Sequence, residues 1–152
     1  MSPLPVSSRL RASLVVAIVS IVAACDPAST TPPTSDAGAV IVYLTGRDLP
    51  NMALGSFASL RDLGFPIGVI GTELVVKPTF EMPDAEFKRE VAPELKRLGK
   101  VIAAFDNEPA NVNLFLETHP DCAAVFLDTQ YAPNPIALDA RVEVIDSFRR
   151  SS

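Results

Sequence analysis

Apolar residues in this chain form short continuous runs, and the stretches between them have helical spacing. The clearest runs are Ala39–Leu44, Val101–Phe105 and Ala123–Leu127. Runs of this length, without polar interruption, are typical of strands buried on both faces of a parallel sheet. A shorter apolar run, Leu74–Val76, ends at Lys77. We therefore predict a series of short buried strands.

The intervening stretches predict helices. Asp48 and Pro50 begin the first, which Gly64 ends, and Asp84 can cap the second. Pro93 lies inside the second and predicts a kink or a split there, and a third covers 110–117. Alternating strands and helices predict an α/β domain over residues 39–150, with right-handed crossovers and an open, Rossmann-like parallel sheet.

The first 24 residues read as a processing signal. Arg9 and Arg11 precede residues 13–24, a run without charge that ends at Cys25. The run is shorter than the roughly 20 residues needed to span a bilayer, but it suits the core of a signal peptide. Val22-Ala23-Ala24-Cys25 resembles a bacterial lipoprotein signal, in which the Cys receives the lipid. The alternative is a buried strand or helix that ends in an ordinary free cysteine.

Residues 25–38 contain the lipidation candidate Cys25 and a stretch rich in Pro, Ser and Thr. Such a composition predicts a flexible tether. The predicted organisation is a leader (1–24), a lipidated tether (25–38) and a folded domain (39–150). It implies anchoring to a membrane of the bacterial cell envelope, with the domain outside the cytoplasm.

Composition and charge exclude several functions. The chain has 13 Lys and Arg against 18 Asp and Glu, a net charge of −5, with no Trp and two Tyr. This argues against nucleic acid as a partner. One His and two Cys cannot form a structural zinc site, and the glycine-rich loops of the common nucleotide-binding motifs are absent from the sequence.

Polar residues follow the predicted strands. Thr45, Lys77, Asp106 and Asp128 each come directly after an apolar run. Ligands of open α/β sheets bind beyond the carboxyl ends of the strands. We therefore expect these side chains to share one edge of the sheet.

These residues resemble motifs of the haloacid dehalogenase (HAD) superfamily. Thr45 in YLTGRD is similar to the second motif, Lys77 in VVKPTF to the third, and Asp106 in AAFDNEPANVN to the fourth. The resemblance implies a HAD-like hydrolase fold and a phosphorylated small molecule held by Thr45 and Lys77. It also implies Mg²⁺ held by Asp106, with either Glu108 or Asn111 as the second ligand.

The first motif of that superfamily, D-x-D-x-[TV], supplies the nucleophile and is absent from the sequence. The nearest string begins at Asp26, in the predicted tether and too close to Thr45 for a crossover helix. We therefore expect no nucleophile and a sheet that is incomplete at its first strand, whose exposed edges allow a homodimer. Three interpretations stay open: an inactive phosphatase-like domain, a non-catalytic binding module, and a truncated product of a phosphatase gene.

The remaining charged and polar residues give smaller predictions. Lys88 and Lys100 are expected on the surface, His119 at a helix end, and Cys122 in the interior.

Overall fold

Five strands of the sheet run in one direction and one runs against them. The computed structural model describes residues 17–22 and 39–148, which form one six-stranded sheet and three α-helices. The strands are β1 (Ala17–Val22), β2 (Ala39–Asp48), β3 (Thr72–Lys77), β4 (Lys100–Asp106), β5 (Ala123–Leu127) and β6 (Glu143–Ile145). The helices are α1 (Leu49–Asp62), α2 (Asp84–Glu94) and α3 (Pro109–Thr118).

The strand order is β3-β2-β1-β4-β5-β6. Strands β2 and β3 are parallel, and so are β4, β5 and β6. Strand β1 lies between the two groups and is antiparallel to β2 and to β4. The α/β architecture with parallel strands and flanking helices is confirmed, but a uniformly parallel sheet is not what forms. The central gap expected from a missing first strand is filled by β1.

The strand that fills this gap comes from the predicted leader. Ala17–Val22 lies within the charge-free run 13–24. In the structure these six residues form a strand of the sheet; the leader and the lipidation of Cys25 stay predictions. Cys25 and Asp26 lie outside the described residues, as does the rest of the predicted tether, 25–38.

Apolar residues of β2 alternate between the two faces of the sheet. Val42 and Leu44 pack with helices α2 and α3, whereas Tyr43 packs with Leu60 of α1 on the opposite face. The Tyr43 hydroxyl donates to the Pro66 carbonyl at 2.9 Å, and burial raises the pKa of Tyr43. Strand β2 is thus buried on both faces, as its continuous apolar sequence predicts.

Prolines and glycines end the helices largely as predicted. Gly64 follows α1 with a φ of 83°, a left-handed conformation that glycine adopts without strain. Pro93 lies next to the last residue of α2, and a 3₁₀ turn at Leu95–Leu98 continues the chain. Residues 65–70 form a further short apolar run, which predicts another strand, but this prediction is wrong because no strand forms there. Val69 and Ile70 of this run are largely exposed.

Two further expectations near the end of α3 are confirmed. His119 caps α3, and its Nε2 lies 2.7 Å from the Ala92 carbonyl of α2, so the two helices are joined there. Cys122 is free and buried. Burial raises the pKa of its thiol, so the thiol stays protonated and unreactive at neutral pH. None of the helices in the described ranges is long and apolar enough to cross a bilayer.

Two leucines of α1 test this packing. Leu60 is 2% exposed and Leu54 is 88% exposed. We expect Leu60→Ala to lower the free energy of unfolding by about 2–5 kcal/mol, because it leaves a cavity beside Tyr43. The matched control Leu54→Ala should change it by less than about 0.5 kcal/mol. Urea unfolding followed by circular dichroism measures both, and equal losses would contradict the placement of α1.

Candidate functional site

Thr45, Lys77 and Asp106 are buried at one edge of the sheet. Leu44 of β2 pairs with Ala17 of β1, and Phe105 of β4 pairs with the neighbouring residue of β1. The next residues along β2 and β4, Thr45 and Asp106, therefore lie at the same carboxyl edge. Two clusters form there, one around Lys77 and one around Asp106.

The Lys77 cluster surrounds a buried ammonium group. Lys77 Nζ donates to the Met82 carbonyl at 2.8 Å and to the Phe80 carbonyl at 3.4 Å. It also pairs with Asp84 Oδ1 at 2.7 Å, and the Phe80 ring centroid lies 6.0 Å away. A buried ammonium needs such partners, because desolvation of an unpaired charge is costly. The charge of Lys77 is thus balanced by a carboxylate of this same chain.

The carboxylate of Asp84 lies against the backbone beside Thr45. A Cβ at Gly46 would overlap that carboxylate, so only glycine leaves room for it. Asp84 does not cap α2 as predicted: Pro83 occupies the N-cap position, and the Asp84 side chain pairs with Lys77 instead. Its side chain is 65% exposed, against 8% for Lys77. A solvent-accessible anion is therefore held between Gly46 and the buried ammonium.

The Asp106 cluster contains a fully buried ion pair. Asp106 Oδ2 accepts from Lys88 Nζ at 2.8 Å, and the two side chains are 0% and 4% exposed. Asp106 Oδ1 accepts from the Glu108 backbone N–H at 2.9 Å and from Asn111 Nδ2 at 3.1 Å. The prediction that Lys88 is a surface charge is wrong, because α2 places it on the inner face of the helix. Lys100, by contrast, is exposed as predicted.

Of the two alternatives for the second metal ligand, the structure brings Asn111 to Asp106 but not the Glu108 carboxylate. Asp106 and Asn111 are in contact, but the Glu108 carboxylate accepts from the Ala132 N–H at 2.9 Å. Both oxygens of Asp106 already accept from donors, and a Mg²⁺ ion about 2.1 Å from them would lie beside the Lys88 ammonium. No group of three or more His, Cys, Asp or Glu suited to a metal occurs among residues 17–22 and 39–148. As arranged, these residues do not fit Mg²⁺, and the ion remains a prediction from the resemblance.

Asn107 is a site residue that the sequence did not single out. Its Nδ2 donates to the Gln130 carbonyl, while its Oδ1 is buried and, in the described structure, has no hydrogen-bond partner. Together with the hydrogen bond that the Ala132 N–H donates to the Glu108 carboxylate, this amide holds the segment after β5 against the end of β4. In the sequence, the one indication of a role for Asn107 is its position directly after Asp106.

The other polar residues at this edge have structural partners. Asp48 caps α1 and accepts from the Asn51 N–H at 2.9 Å. Arg47 donates to the Ser56 hydroxyl at 3.4 Å. Asp128 is exposed, and its N–H donates to the Ile145 carbonyl, so it remains a loop acid as predicted.

Helix α2 connects the two clusters. Asp84 and Lys88 are four residues apart and therefore lie on one face of the helix. Asp84 reaches Lys77 at the end of β3, and Lys88 reaches Asp106 at the end of β4. The helix thus supplies the acid of one ion pair and the lysine of the other, and the two pairs fix α2 over both parallel parts of the sheet.

A double-mutant cycle tests the buried pair. We expect Lys88→Met to destabilise the protein by about 3–5 kcal/mol, because it leaves the Asp106 carboxylate buried and unpaired. Asp106→Asn should also destabilise it, and the double variant should lose much less than the sum of the two. Chemical unfolding measures all three.

The matched control for this cycle is Lys100→Met, which removes an exposed ion pair with Asp121 at 3.4 Å. Its effect should be small, because exposed pairs contribute little. Additive losses in the Lys88–Asp106 cycle would contradict the ion pair.

Comparison with protein-family models, with curated proteins and with solved structures found no match to this chain.

Proposed function

We propose that this domain is HAD-like and binds a phosphorylated small molecule at the Lys77 cluster, without turning it over. The observation that carries the proposal is the Asp84 carboxylate between Gly46 and Lys77 Nζ. The place beside Lys77 Nζ is thus already occupied by a carboxylate anion. A phosphate group presents the same kind of acceptor oxygens with more negative charge.

Binding requires the ligand to compete with Asp84. Lys77 Nζ is fully engaged by Asp84 and by two carbonyls. Asp84 is the partner most easily displaced, because its side chain is largely exposed. A phosphate that takes its place can accept from Lys77 and from the Thr45 hydroxyl. Asp84 is therefore an internal competitor that weakens phosphate binding.

The acids at this edge support the proposed absence of turnover. A phosphoaspartyl mechanism needs a free carboxylate in line with phosphorus. Asp48 is engaged in a helix cap and Asp106 in the Lys88 pair. Asp84 occupies the place beside Lys77 Nζ that the phosphate oxygens would take, so the bound ligand displaces it. Asp26 lies outside the described residues, and the carboxyl end of β1 that precedes it pairs with Ala39 at the opposite edge of the sheet. Binding without hydrolysis is the function that this arrangement favours.

Substitution of Asp84 tests the proposed competition. We expect Asp84→Asn to bind inorganic phosphate and vanadate about tenfold more tightly than the parent, because the competing charge is lost. Lys77→Met should abolish binding. Asp62→Asn, which removes an exposed acid of α1 that pairs with Arg61, is the matched control and should bind like the parent. Isothermal titration calorimetry with each anion measures the affinities.

The same proteins test turnover. We expect no hydrolysis of a phosphomonoester panel above the Lys77→Met level, with or without Mg²⁺. Mg²⁺-dependent hydrolysis that is lost in Asp26→Asn would contradict the proposal and would identify Asp26 as a nucleophile. Equal phosphate affinity in the parent, Asp84→Asn and Lys77→Met would contradict binding at this cluster.

We further propose that Cys25 is lipidated and anchors the protein in the bacterial cell envelope. The proposal is supported by the Val22-Ala23-Ala24-Cys25 sequence. The net charge of −5 gives no electrostatic attraction to anionic lipid, so a lipid chain has to supply the affinity.

Two cysteine variants test the anchor. Cys25→Ala should abolish incorporation of labelled palmitate in cells. Cys122→Ala should leave it unchanged, because that thiol is buried and its raised pKa keeps it protonated. Unchanged labelling of Cys25→Ala would contradict lipidation at this residue.

A further inference from the structure

Among the described strands, β1 is the one that joins the two parallel parts of the sheet through backbone hydrogen bonds. One edge of β1 pairs with β2 from Ala17↔Leu44 to Val22↔Ala39. Its other edge pairs with β4, with a register shift between Ser20 and Ile21. Among the described residues, β2 and β4 are hydrogen-bonded to no common strand except β1.

The edges that β1 covers belong to the interior of the domain. Val42 and Leu44 on β2 have no exposed surface, and Val101 and Ala104 on β4 are 3% and 1% exposed. Without β1, the backbone N–H and C=O groups that β2 and β4 direct toward it would have no partners. Unpaired backbone groups inside a sheet are costly, and exposed sheet edges associate with other strands.

The ion pairs of α2 cannot replace this strand. They attach the helix to the end of β3 through Lys77 and to the end of β4 through Lys88. Both contacts lie at the carboxyl edge. They provide no hydrogen-bond partners for the backbone groups of β2 and β4 that face each other across the position of β1. We call this position between β2 and β4 the slot.

The same six residues lie in the sequence that the lipoprotein interpretation removes. Cleavage before Cys25 would release residues 1–24, and Ala17–Val22 with them. Residues 17–22 cannot be cleaved off and lost from the protein and also form the central strand of its sheet. Either the released segment remains in the slot or the sheet described above is lost.

We propose that the slot between β2 and β4 is a strand-binding site whose occupant is residues 17–22 of this chain, and that the domain folds only while this segment is bound. The slot takes an apolar strand that runs antiparallel to both neighbours, the geometry known as β-augmentation. The inference is independent of phosphate binding, because it depends on strand pairing and not on the Lys77 cluster.

The first experiment uses the full chain with Cys25→Ser, so that Cys122 is the only thiol. Ser20 is central in β1 and is paired with Ile41 and Ala103. Ser20→Pro should raise the rate of Cys122 modification by a thiol reagent about tenfold or more and lower the melting temperature, because proline cannot join a central strand. Ser20→Thr is the matched control and should behave like the parent. If Ser20→Pro also behaves like the parent, the proposal is overturned.

The second experiment cuts the folded full chain at a protease recognition sequence placed between Val22 and Ala39. We expect the amino-terminal fragment to remain with the domain in native mass spectrometry. Release of the fragment together with loss of Cys122 protection also supports an obligatory strand. Release with the remainder still monomeric, folded and protected overturns the proposal. Release followed by a folded dimer overturns the assigned occupant, since a second copy would then fill the slot.

Discussion

The carboxylate of Asp106 has no exposed surface, and the position of α2 follows from this one constraint. A buried carboxylate is stable only with a countercharge and with donors for both of its oxygens. Lys88 supplies the countercharge, and that fixes the rotation of α2 about its axis. Because Asp84 is one turn earlier on the same face, the same rotation brings its carboxylate onto Lys77. The geometry of the phosphate-binding proposal thus depends on an ion pair at the end of a different strand.

The sequence predicted well those features that depend on local apolar pattern. Strands β2, β4 and β5 can be recognised because each is a continuous apolar run that contributes buried core residues. The run 65–70 has a similar pattern but forms no strand, since apolar content alone cannot distinguish a strand from a partly covered loop. The direction of β1 could not be predicted, because an apolar run has the same pattern in either orientation.

The candidate site was predicted in its location but not in its contacts. Thr45, Lys77 and Asp106 share an edge because they follow strands of common direction, and strand ends can be recognised in a sequence. The burial of Lys88 could have been inferred from helical spacing, because the apolar residues Ala92 and Leu95 follow it at four and seven residues. The contact of Asp84 with Gly46 could not, since an acid at the start of a helix normally caps it or faces solvent. For Asp84, the packing of α2 against the sheet places the carboxylate at Lys77 and Gly46 instead.

The antiparallel placement of β1 also sets the order in which the domain can form on the ribosome. The strand at the centre of the sheet is synthesised first. Its pairing with β2 becomes available as soon as β2 emerges, but its pairing with β4 must wait for α1, β3 and α2 to be made. During this interval one edge of β1 is unpaired in the nascent chain, and long-range pairing of this kind is slow. Under the lipoprotein processing proposed above, a secretion machinery that binds apolar amino-terminal segments would compete with folding for these six residues while that edge is still open.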